Sequence, residues 1–307
     1  MSQKIEVDPK ADKERLDKFL CRHFPSFSRS HLQKLIKRGL VSVNGKAVPV
    51  HFFLKTGDQV IINPEEPEKI DLTPDRSKPL SIVHEDENIL IIDKEAGLTV
   101  HPAESCREKT LVNRLLAYWP ALASVGEDKN RPGIVHRLDK DVSGLMVVAK
   151  NQKAFQHLKN QFQAHKVKKE YLALVNGETI KEEGIINFPI ARGEQGTFVA
   201  RPKNQTGEPA ITEYKVVKRY KNYTLLSLHP LTGRTHQIRV HLKALGYPIV
   251  GDQLYKNRKL KEKIKLDRIF LHATSLGFFD LDNKWREFER KLPEDLNKVL
   301  EELNGRT

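Results

Sequence analysis

The sequence predicts an α+β protein in two parts: a small N-terminal unit of two helices plus a hairpin, and a large domain on a mixed, mainly antiparallel β-sheet flanked by helices. Strand and helix patterns after residue 80 do not alternate strictly, which argues against a doubly wound parallel sheet. The stretch NPEEPEKIDLTPDRSKPL, at 63–80, lacks periodicity and predicts a linker. We therefore expect domains at 1–63 and 81–307, with the linker at 64–80.

The first unit contains two amphipathic helices and a tight turn. The apolar stripe of the first helix ends before Pro25, and its members are Leu16, Phe19, Leu20 and Phe24. The stripe of the second helix is Leu32, Leu35 and Ile36. A serine at position 28 or 30 can cap this helix, and Gly39 can end it. The dipeptide Asn44-Gly45 follows the alternating stretch VSV and predicts a hairpin.

Positive charge is concentrated in the same unit. No Asp or Glu occurs from Lys18 to Gly57, and the basic residues there are Lys18, Arg22, Arg29, Lys34, Lys37, Arg38, Lys46 and Lys55. The whole chain has 53 Lys and Arg against 40 Asp and Glu, a net charge of +13, which bears on partners rather than on fold. Solvated helix faces normally interleave both signs, so a phosphate-binding surface is favoured over an ordinary solvated face.

The composition does not fit a membrane protein or a protein stabilised by disulfides. No apolar run approaches the length of a membrane span, and the first residues lack the apolar centre of a signal peptide, so we expect a cytoplasmic protein that does not bind membranes. Cys21 and Cys106 show no metal-ligand spacing, and a chain of 307 residues with two cysteines is not held together by disulfides. Both cysteines are expected to be ordinary thiols.

The large domain shows several strand and helix patterns. Predicted strands lie in SIVHED, NILIIDKEAG, EYLALV and TLLSLHP, and predicted helices in TLVNRLLAYW, NQKAFQHLKNQFQAHK and EDLNKVLEEL. The stretch GIVHRLDKDVSGLMVVAK, at 133–150, places a polar cluster between two apolar runs, Ile134-Val135 and 145–149, which predict strands. A loop held between strands is a suitable place for reactive side chains.

Asp139 is the candidate reactive group of this cluster. It lies beside His136, Arg137 and Lys140, so it is expected to stay ionised and to suit a nucleophilic or electrostatic role. From the residues alone, catalytic and structural roles are equally supported. A turn-capping role is the better explanation for Asp141, which precedes Ser-Gly at 143–144.

Other known chemistries are not supported. The order His-Arg-Leu-Asp differs from a kinase catalytic loop, and the chain has no G-x-S-x-G, P-loop or H-E-x-x-H motif. His236 and His241 are five residues apart, a poor spacing for two zinc ligands on one helical face.

Four stretches together resemble the RluA-type pseudouridine synthases. The first is HRLDKDVSGLMVVAK, and the others are EAGLTVHP at 95–102, KKEYLALV at 168–175 and LTGRTHQIRVHLKALGYPIVGDQLY at 231–255. They occur in the order expected for that family. The segment SRSHLQKLIKRGLVSVNGK resembles the core of an S4-like RNA-binding domain over residues 14–63. Together they resemble the RluD-type branch, which acts on large-subunit ribosomal RNA.

The resemblance implies roles for individual residues. Asp139 would be the essential carboxylate, attacking the anomeric carbon or removing a sugar proton, and both routes stay open. Tyr171 would stack on the target base and help remove its C5 proton, and Arg234 would pair with Asp139. Without the motif, Tyr171 would be a packed strand residue and Arg234 a phosphate contact. Arg137 and His136 would contact RNA, Arg137 by filling the space left by the flipped nucleotide, although a structural hydrogen bond is the more common role for such a histidine.

The same resemblance implies partners and an N-terminal RNA surface. The residues expected on that surface are Arg29, Lys34, Lys37 and Arg38. The implied reaction isomerises uridine and conserves every atom, so no metal or organic cofactor is expected. We expect a monomer that acts on large-subunit ribosomal RNA, free or in an assembling subunit. Transfer RNA modification is the alternative within the family, and a non-catalytic RNA-binding or ribosome-assembly protein and a nucleoside or glycoside hydrolase are the alternatives outside it.

Three features leave questions open. Val142 stands where the family usually has Thr, and Glu95 stands where Pro is common, so both turns are expected to be less rigid. The tract YKNRKLKEKIKLDR, at 255–268, is either a further RNA contact or a solvated insertion.

Overall fold

The computed structural model describes residues 2–27, 29–65, 71–102, 106, 108–178, 181–193, 197–201, 207–257 and 264–305. The chain divides into two compact units, 1–69 and 70–307. The division lies inside the expected linker at 64–80. Residues 71–73 of that linker belong to the large unit, because the Asn113 side chain donates hydrogen bonds to the carbonyls of Asp71 and Thr73, each at 2.9 Å.

The small unit contains the predicted helices and hairpin. Its helices are α1 (Leu16–His23) and α2 (Arg29–Lys37), and its strands are β1 (Gln3–Glu6), β2 (Val41–Val43), β3 (Lys46–Ala47) and β4 (Gln59–Ile62). The sheet order is β1-β4-β2-β3. Asn44 and Gly45 have φ angles of 51° and 76°, as a two-residue hairpin turn requires. Of the two candidate caps, Ser28 lies outside the described residues and Ser30 is inside α2.

A buried carboxylate joins the two helices. Asp17 accepts hydrogen bonds from Arg15, from Arg29 at 2.7 Å and from Gln33 at 2.6 Å. Burial alone would raise the pKa of Asp17, but these hydrogen bonds and the Arg29 charge lower it to about 2. Asp17 comes directly before the acid-free stretch. Its negative charge is neutralised within the unit by Arg15 and Arg29.

The large unit is built on one extended sheet. Within the described residues its strand order is β5-β6-β7-β14-β8-β13-β12-β9, with β15 paired to β14. These strands are β5 (Ile82–Glu85), β6 (Ile89–Lys94), β7 (Ser143–Ala149), β8 (Lys168–Asn176), β9 (Glu183–Asn187), β12 (Ile211–Tyr220), β13 (Tyr223–Pro230), β14 (Leu271–Phe279) and β15 (Trp285–Glu289). In the described part of the sheet only the β7–β14 pair is parallel. The mixed, mainly antiparallel sheet is therefore confirmed.

Helices and a small second sheet complete this unit. The helices are α3 (Leu111–Tyr118), α4 (Gln152–Gln163), α5 (Gln237–Ala244) and α6 (Glu294–Asn304). Two short strands, β10 (Ile190–Arg192) and β11 (Phe198–Ala200), pair with each other. Among the described residues, no helix combines the length and the apolar character needed to cross a membrane.

The polar cluster within 133–150 borders only one strand, β7, which comes after it. Every residue of β7 is buried, which explains its continuous apolar run. The prediction of a strand at Ile134-Val135 is wrong. Ile134 forms only an isolated bridge with Val148, and no strand continues from it. The Val147 N–H instead donates to Nε2 of His136 at 3.0 Å, so a side chain replaces the backbone acceptor that a strand would supply.

The Ser-Gly pair at 143–144 lies inside β7, and the turn that contains Asp141 comes just before it. Gly144 has a φ angle of 120°, and a Cβ atom built on it would lie 2.3 Å from the carbonyl oxygen of Ala273. The glycine thus permits close approach of β14 at the parallel pairing.

We predict that Gly144→Ala lowers the free energy of unfolding by about 3 kcal/mol, since it adds a backbone clash to conformational strain. Gly246→Ala is the matched control, because Gly246 has a φ angle of 92° but open space around it. The control should cost about 1 kcal/mol from strain alone. Urea unfolding of both variants measures the difference, and equal losses would contradict the packing role of Gly144.

Candidate active site

The large unit contains a cavity of about 530 Å³ beside the loop that precedes β7. Its lining brings together side chains that are far apart in the sequence: Arg137, Asp139, Lys169, Tyr171, His236 and Arg239. They come from the loop before β7, from strand β8, and from the start of α5. A cavity with a few convergent polar groups is the expected form of an active site.

Asp139 is paired with Arg239. Its Oδ2 atom accepts a hydrogen bond from Nη1 of Arg239 at 3.3 Å, and Nε2 of His236 lies 3.9 Å from the same oxygen. The Asp139 side chain is 17% exposed, so the pair lies at the cavity surface with access from solvent. The carboxylate is therefore held in place by a cation and still faces the cavity.

A second carboxylate fixes Arg239 from behind. Nε of Arg239 donates to Oδ2 of Asp252 at 2.8 Å, and Nη2 donates to Oδ1 at 2.9 Å. Burial alone would lower the pKa of Arg239, but the hydrogen bonds and charges of Asp252 and Asp139 raise it. The two-point contact fixes the plane of the guanidinium group, which directs its remaining nitrogen at Asp139.

The turn after α5 holds Asp252 itself. Oδ1 of Asp252 accepts the backbone N–H groups of Leu254 and Tyr255, each at 3.0 Å. The Tyr255 ring lies under the guanidinium carbon of Arg239, with 4.9 Å between that carbon and the ring centroid. The Tyr255 hydroxyl is 2.8 Å from Nδ1 of His236. One turn therefore positions both groups that face Asp139.

Arg234 does not pair with Asp139, and that prediction is wrong. Its Nε donates to the carbonyl of Pro209 at 3.0 Å, and Nη1 lies 3.5 Å from the Glu208 carboxylate. The two arginines of RTHQIR are five residues apart, and α5 begins between them. Arg234 lies in the preceding loop at the cavity edge, whereas Arg239 is in the helix and directed inward.

Tyr171 lies on β8 and lines the same cavity. Burial raises the pKa of its phenol, and the charge of Asp139 raises it further. The ring is therefore a neutral phenol at physiological pH. A neutral aromatic ring beside a carboxylate is suited to stacking on a planar base.

His136 makes structural contacts, the more common role for such a histidine, and its prediction as an RNA contact stays a prediction. Its Nε2 accepts the Val147 N–H, and its ring stacks on Phe162 with 4.5 Å between centroids. Burial lowers the pKa of His136 to about 3, so it carries no charge that could attract a phosphate at neutral pH. Arg137, the next residue, is exposed at the cavity.

The four N-terminal candidates lie on or just after α2, in the small unit. Arg29 pairs with Asp17, and Arg38 pairs with Glu65, so both cations already have carboxylate partners. Lys37 is exposed and Lys34 is half-buried. The charge available to an external partner on this helix is therefore smaller than the sequence suggests.

The loops around Asp139 are fixed by further contacts. The ammonium of Lys94 donates to the carbonyls of Glu95, Leu98 and Lys140, at 2.8, 2.9 and 3.0 Å. Burial lowers the pKa of Lys94 to about 7. The Glu95 carboxylate accepts a hydrogen bond from Arg114 at 2.7 Å, and Val142 is buried in the core. Both departures from the family pattern thus have compensating contacts in this chain.

The tract at 255–268 is described only in part, since residues 258–263 lie outside the described residues. Tyr255 belongs to the site, and Arg268 donates a hydrogen bond to Ser143, so the described ends of the tract are packed. Across the described ranges, no three His, Cys, Asp or Glu side chains are arranged to hold a metal ion.

Sequence reasoning missed Arg239, Asp252 and Lys94. All three lie in or beside the quoted motifs, but spacing alone does not say which arginine of RTHQIR faces Asp139. The linked ion pairs of Asp252, Arg239 and Asp139 are recognised only when helix α5 and the turn at 252–255 are placed together in space.

Comparison with known proteins agrees with this geometry. Residues 88–244 match the RNA pseudouridylate synthase family model, and residues 14–60 match the S4 domain. An uncharacterized RNA pseudouridine synthase from Aquifex aeolicus is 43% identical, over 97% of this chain and 96% of its own length. Ribosomal large subunit pseudouridine synthase D from Haemophilus ducreyi is 40% identical, over 94% and 90%.

A solved structure shows the same fold. Human RNA Pseudouridylate Synthase Domain Containing 4 superposes with a TM-score of 0.59 at 26% identity, covering 73% of this chain and 93% of that one. The family match spans the loop of Asp139, strand β8 and all of α5, which contribute side chains to the cavity. The chain therefore belongs to the RNA pseudouridine synthases, isomerases that convert uridine in RNA to pseudouridine, and it carries an S4 domain before the catalytic part.

Proposed function

We propose that this protein isomerises specific uridines of large-subunit ribosomal RNA and that Asp139 is its essential carboxylate. The observation that carries the proposal is the placement of Asp139 in the cavity, held by Arg239 and beside Tyr171. The ribosomal substrate is supported by relatives named ribosomal large subunit pseudouridine synthase D in Haemophilus ducreyi. The RNA is either free or part of an assembling subunit, and the protein acts as a cytoplasmic monomer.

The proposed reaction exchanges one glycosidic bond for another. The N1–C1′ bond of the uridine breaks, the uracil rotates, and a C5–C1′ bond forms. The proton on C5 is lost and N1 gains a proton, so no atom is added overall. Asp139 either attacks C1′ or removes a sugar proton, and both routes need an ionised carboxylate. Arg239 favours that ionised state and fixes its direction.

Two other side chains assist the flipped nucleotide. Tyr171 stacks on the uracil and contributes to removal of the C5 proton. Arg137 occupies the space that the nucleotide leaves in the RNA, because chemistry on a base requires its removal from the stack. The S4 unit adds affinity that depends on salt and little on sequence, through α2, where Lys37 is exposed.

Asp139→Asn should abolish pseudouridine formation, because the amide can neither attack C1′ nor accept a proton at that position. The measurement is chemical mapping of pseudouridine in ribosomal and transfer RNA from cells lacking the protein, rescued with wild type or variant. Asp141→Asn is the matched control, since Asp141 is exposed in the same loop. Rescue by Asp139→Asn would contradict the catalytic role. Loss of sites in transfer RNA alone would contradict the ribosomal substrate.

Asp252→Asn should lower kcat by a factor on the order of ten to a hundred, because Arg239 loses the charged contact that directs it at Asp139. The amide oxygen can still accept the two turn N–H groups, so the turn should persist. Single-turnover conversion of a substrate RNA fragment, with circular dichroism as a check on folding, measures this effect. An unchanged kcat in a folded variant would show that Asp252 does not position Arg239.

A further inference from the structure

The acidic residues of the cavity are all paired with other cations. Three carboxylates line it: Glu127, Asp128 and Asp139. Glu127 accepts hydrogen bonds from Lys159 at 2.6 and 2.7 Å, and Asp128 lies 3.3 Å from Arg131. Asp139 accepts a hydrogen bond from Nη1 of Arg239 at 3.3 Å. No carboxylate of the lining is therefore left to neutralise a further cation.

Lys169 is such a further cation. It lies on β8 two residues before Tyr171, and side chains two residues apart on a strand point to the same face. Both residues line the cavity. Within the described ranges, no hydrogen bond or ion pair involves the Lys169 ammonium, although the side chain is half-buried. Burial lowers its pKa to about 8, with no opposing contribution from a carboxylate.

No carboxylate contributes to the pKa of Lys169. The charge of Asp139 contributes to the raised pKa of Tyr171, whereas burial alone acts on the pKa of Lys169. The charge of Lys169 instead contributes to the lowered pKa of His136, whose ring stacks on Phe162. The cavity lining thus contains a carboxylate that is paired with Arg239 and, separately, the cation Lys169, which has no carboxylate partner.

We propose that Lys169 binds a backbone phosphate flanking the target uridine, an inference that rests on the proposed function. A partly desolvated ammonium without a partner is unfavourable, and an anionic ligand removes that penalty. In RNA the anionic groups are the phosphates, while the uracil and ribose are neutral. The ribose must lie beside Asp139 in the same cavity, so the phosphates that flank it along the RNA are the anionic groups available to Lys169.

Arg137 does not fill this role. It is exposed, so its charge is compensated by water, and a phosphate there gains little over the solvated state. Lys159 and Arg131 already have carboxylate partners in the cavity wall. Lys169 is therefore the lining cation for which a phosphate makes the largest difference.

The test compares two small probes that share a base and a ribose: uridine and uridine 3′,5′-bisphosphate. Their affinities for the full chain are measured by NMR titration with wild type, Lys169→Met and Lys169→Arg. Lys153→Met is the matched control, because Lys153 is an exposed residue of α4 outside the cavity lining. Binding needs no turnover, so the result does not depend on whether the protein isomerises uridine.

The wild type should bind the bisphosphate about tenfold more tightly than uridine, as a charge-assisted hydrogen bond implies. Lys169→Met should lose that difference while binding uridine unchanged, Lys169→Arg should keep most of it, and Lys153→Met should match wild type. Equal affinities of wild type for both probes would overturn the proposal. So would a Lys169→Met variant that weakens both probes equally, because its contact would then be with the nucleoside. If Lys169→Met loses the preference for the bisphosphate but the wild type forms no pseudouridine, the phosphate site stands and only the proposed function is refuted.

Discussion

The active site depends on a chain of three charges, Asp252, Arg239 and Asp139. A buried guanidinium is costly without partners, and this one receives a bidentate contact from Asp252 and a single contact from Asp139. The two carboxylates that contact Arg239 differ in burial. Asp252 is almost fully buried and holds its position through two backbone N–H groups, whereas Asp139 reaches the cavity. The strongly held end therefore orients the end that meets substrate.

The rest of the large unit keeps both ends of this chain in place. Asp139 lies on an irregular loop, which would move without support, and two contacts restrain it. On one side the His136 ring accepts the Val147 N–H and so fastens the start of the loop to β7. On the other side Lys94 ties the Lys140 carbonyl to the neighbouring loop. Gly144 lets β14 approach β7 closely, which brings the end of the loop beside the central sheet. The polar cluster of the sequence thus divides into residues that hold the loop and residues that face the cavity.

Much of this architecture could be predicted from the sequence, because apolar periodicity marks the helices and strands and because the motifs lie in one order. The loop position of Asp139 followed from the same reasoning. The choice of Arg234 over Arg239 failed for a physical reason: both are cations in one motif, and only the start of α5 decides which points inward. The sequence also left the role of His136 open, since a histidine that replaces a backbone acceptor looks in sequence like one that binds phosphate. Ion pairs such as Arg29 with Asp17 also depend on packing between helices, which periodicity does not describe.

The most direct test of the account is the rate of pseudouridine formation by Arg239→Gln and Arg234→Gln, compared under single-turnover conditions on one substrate RNA fragment. The ion chain requires that Arg239→Gln lowers the rate of the chemical step by a factor on the order of a hundred or more, since it removes the charge that faces Asp139. Arg234→Gln, whose partners are Glu208 and Pro209, should change the rate by no more than a few-fold. The opposite ranking would contradict the account, because Arg234 would then be the arginine that serves the carboxylate.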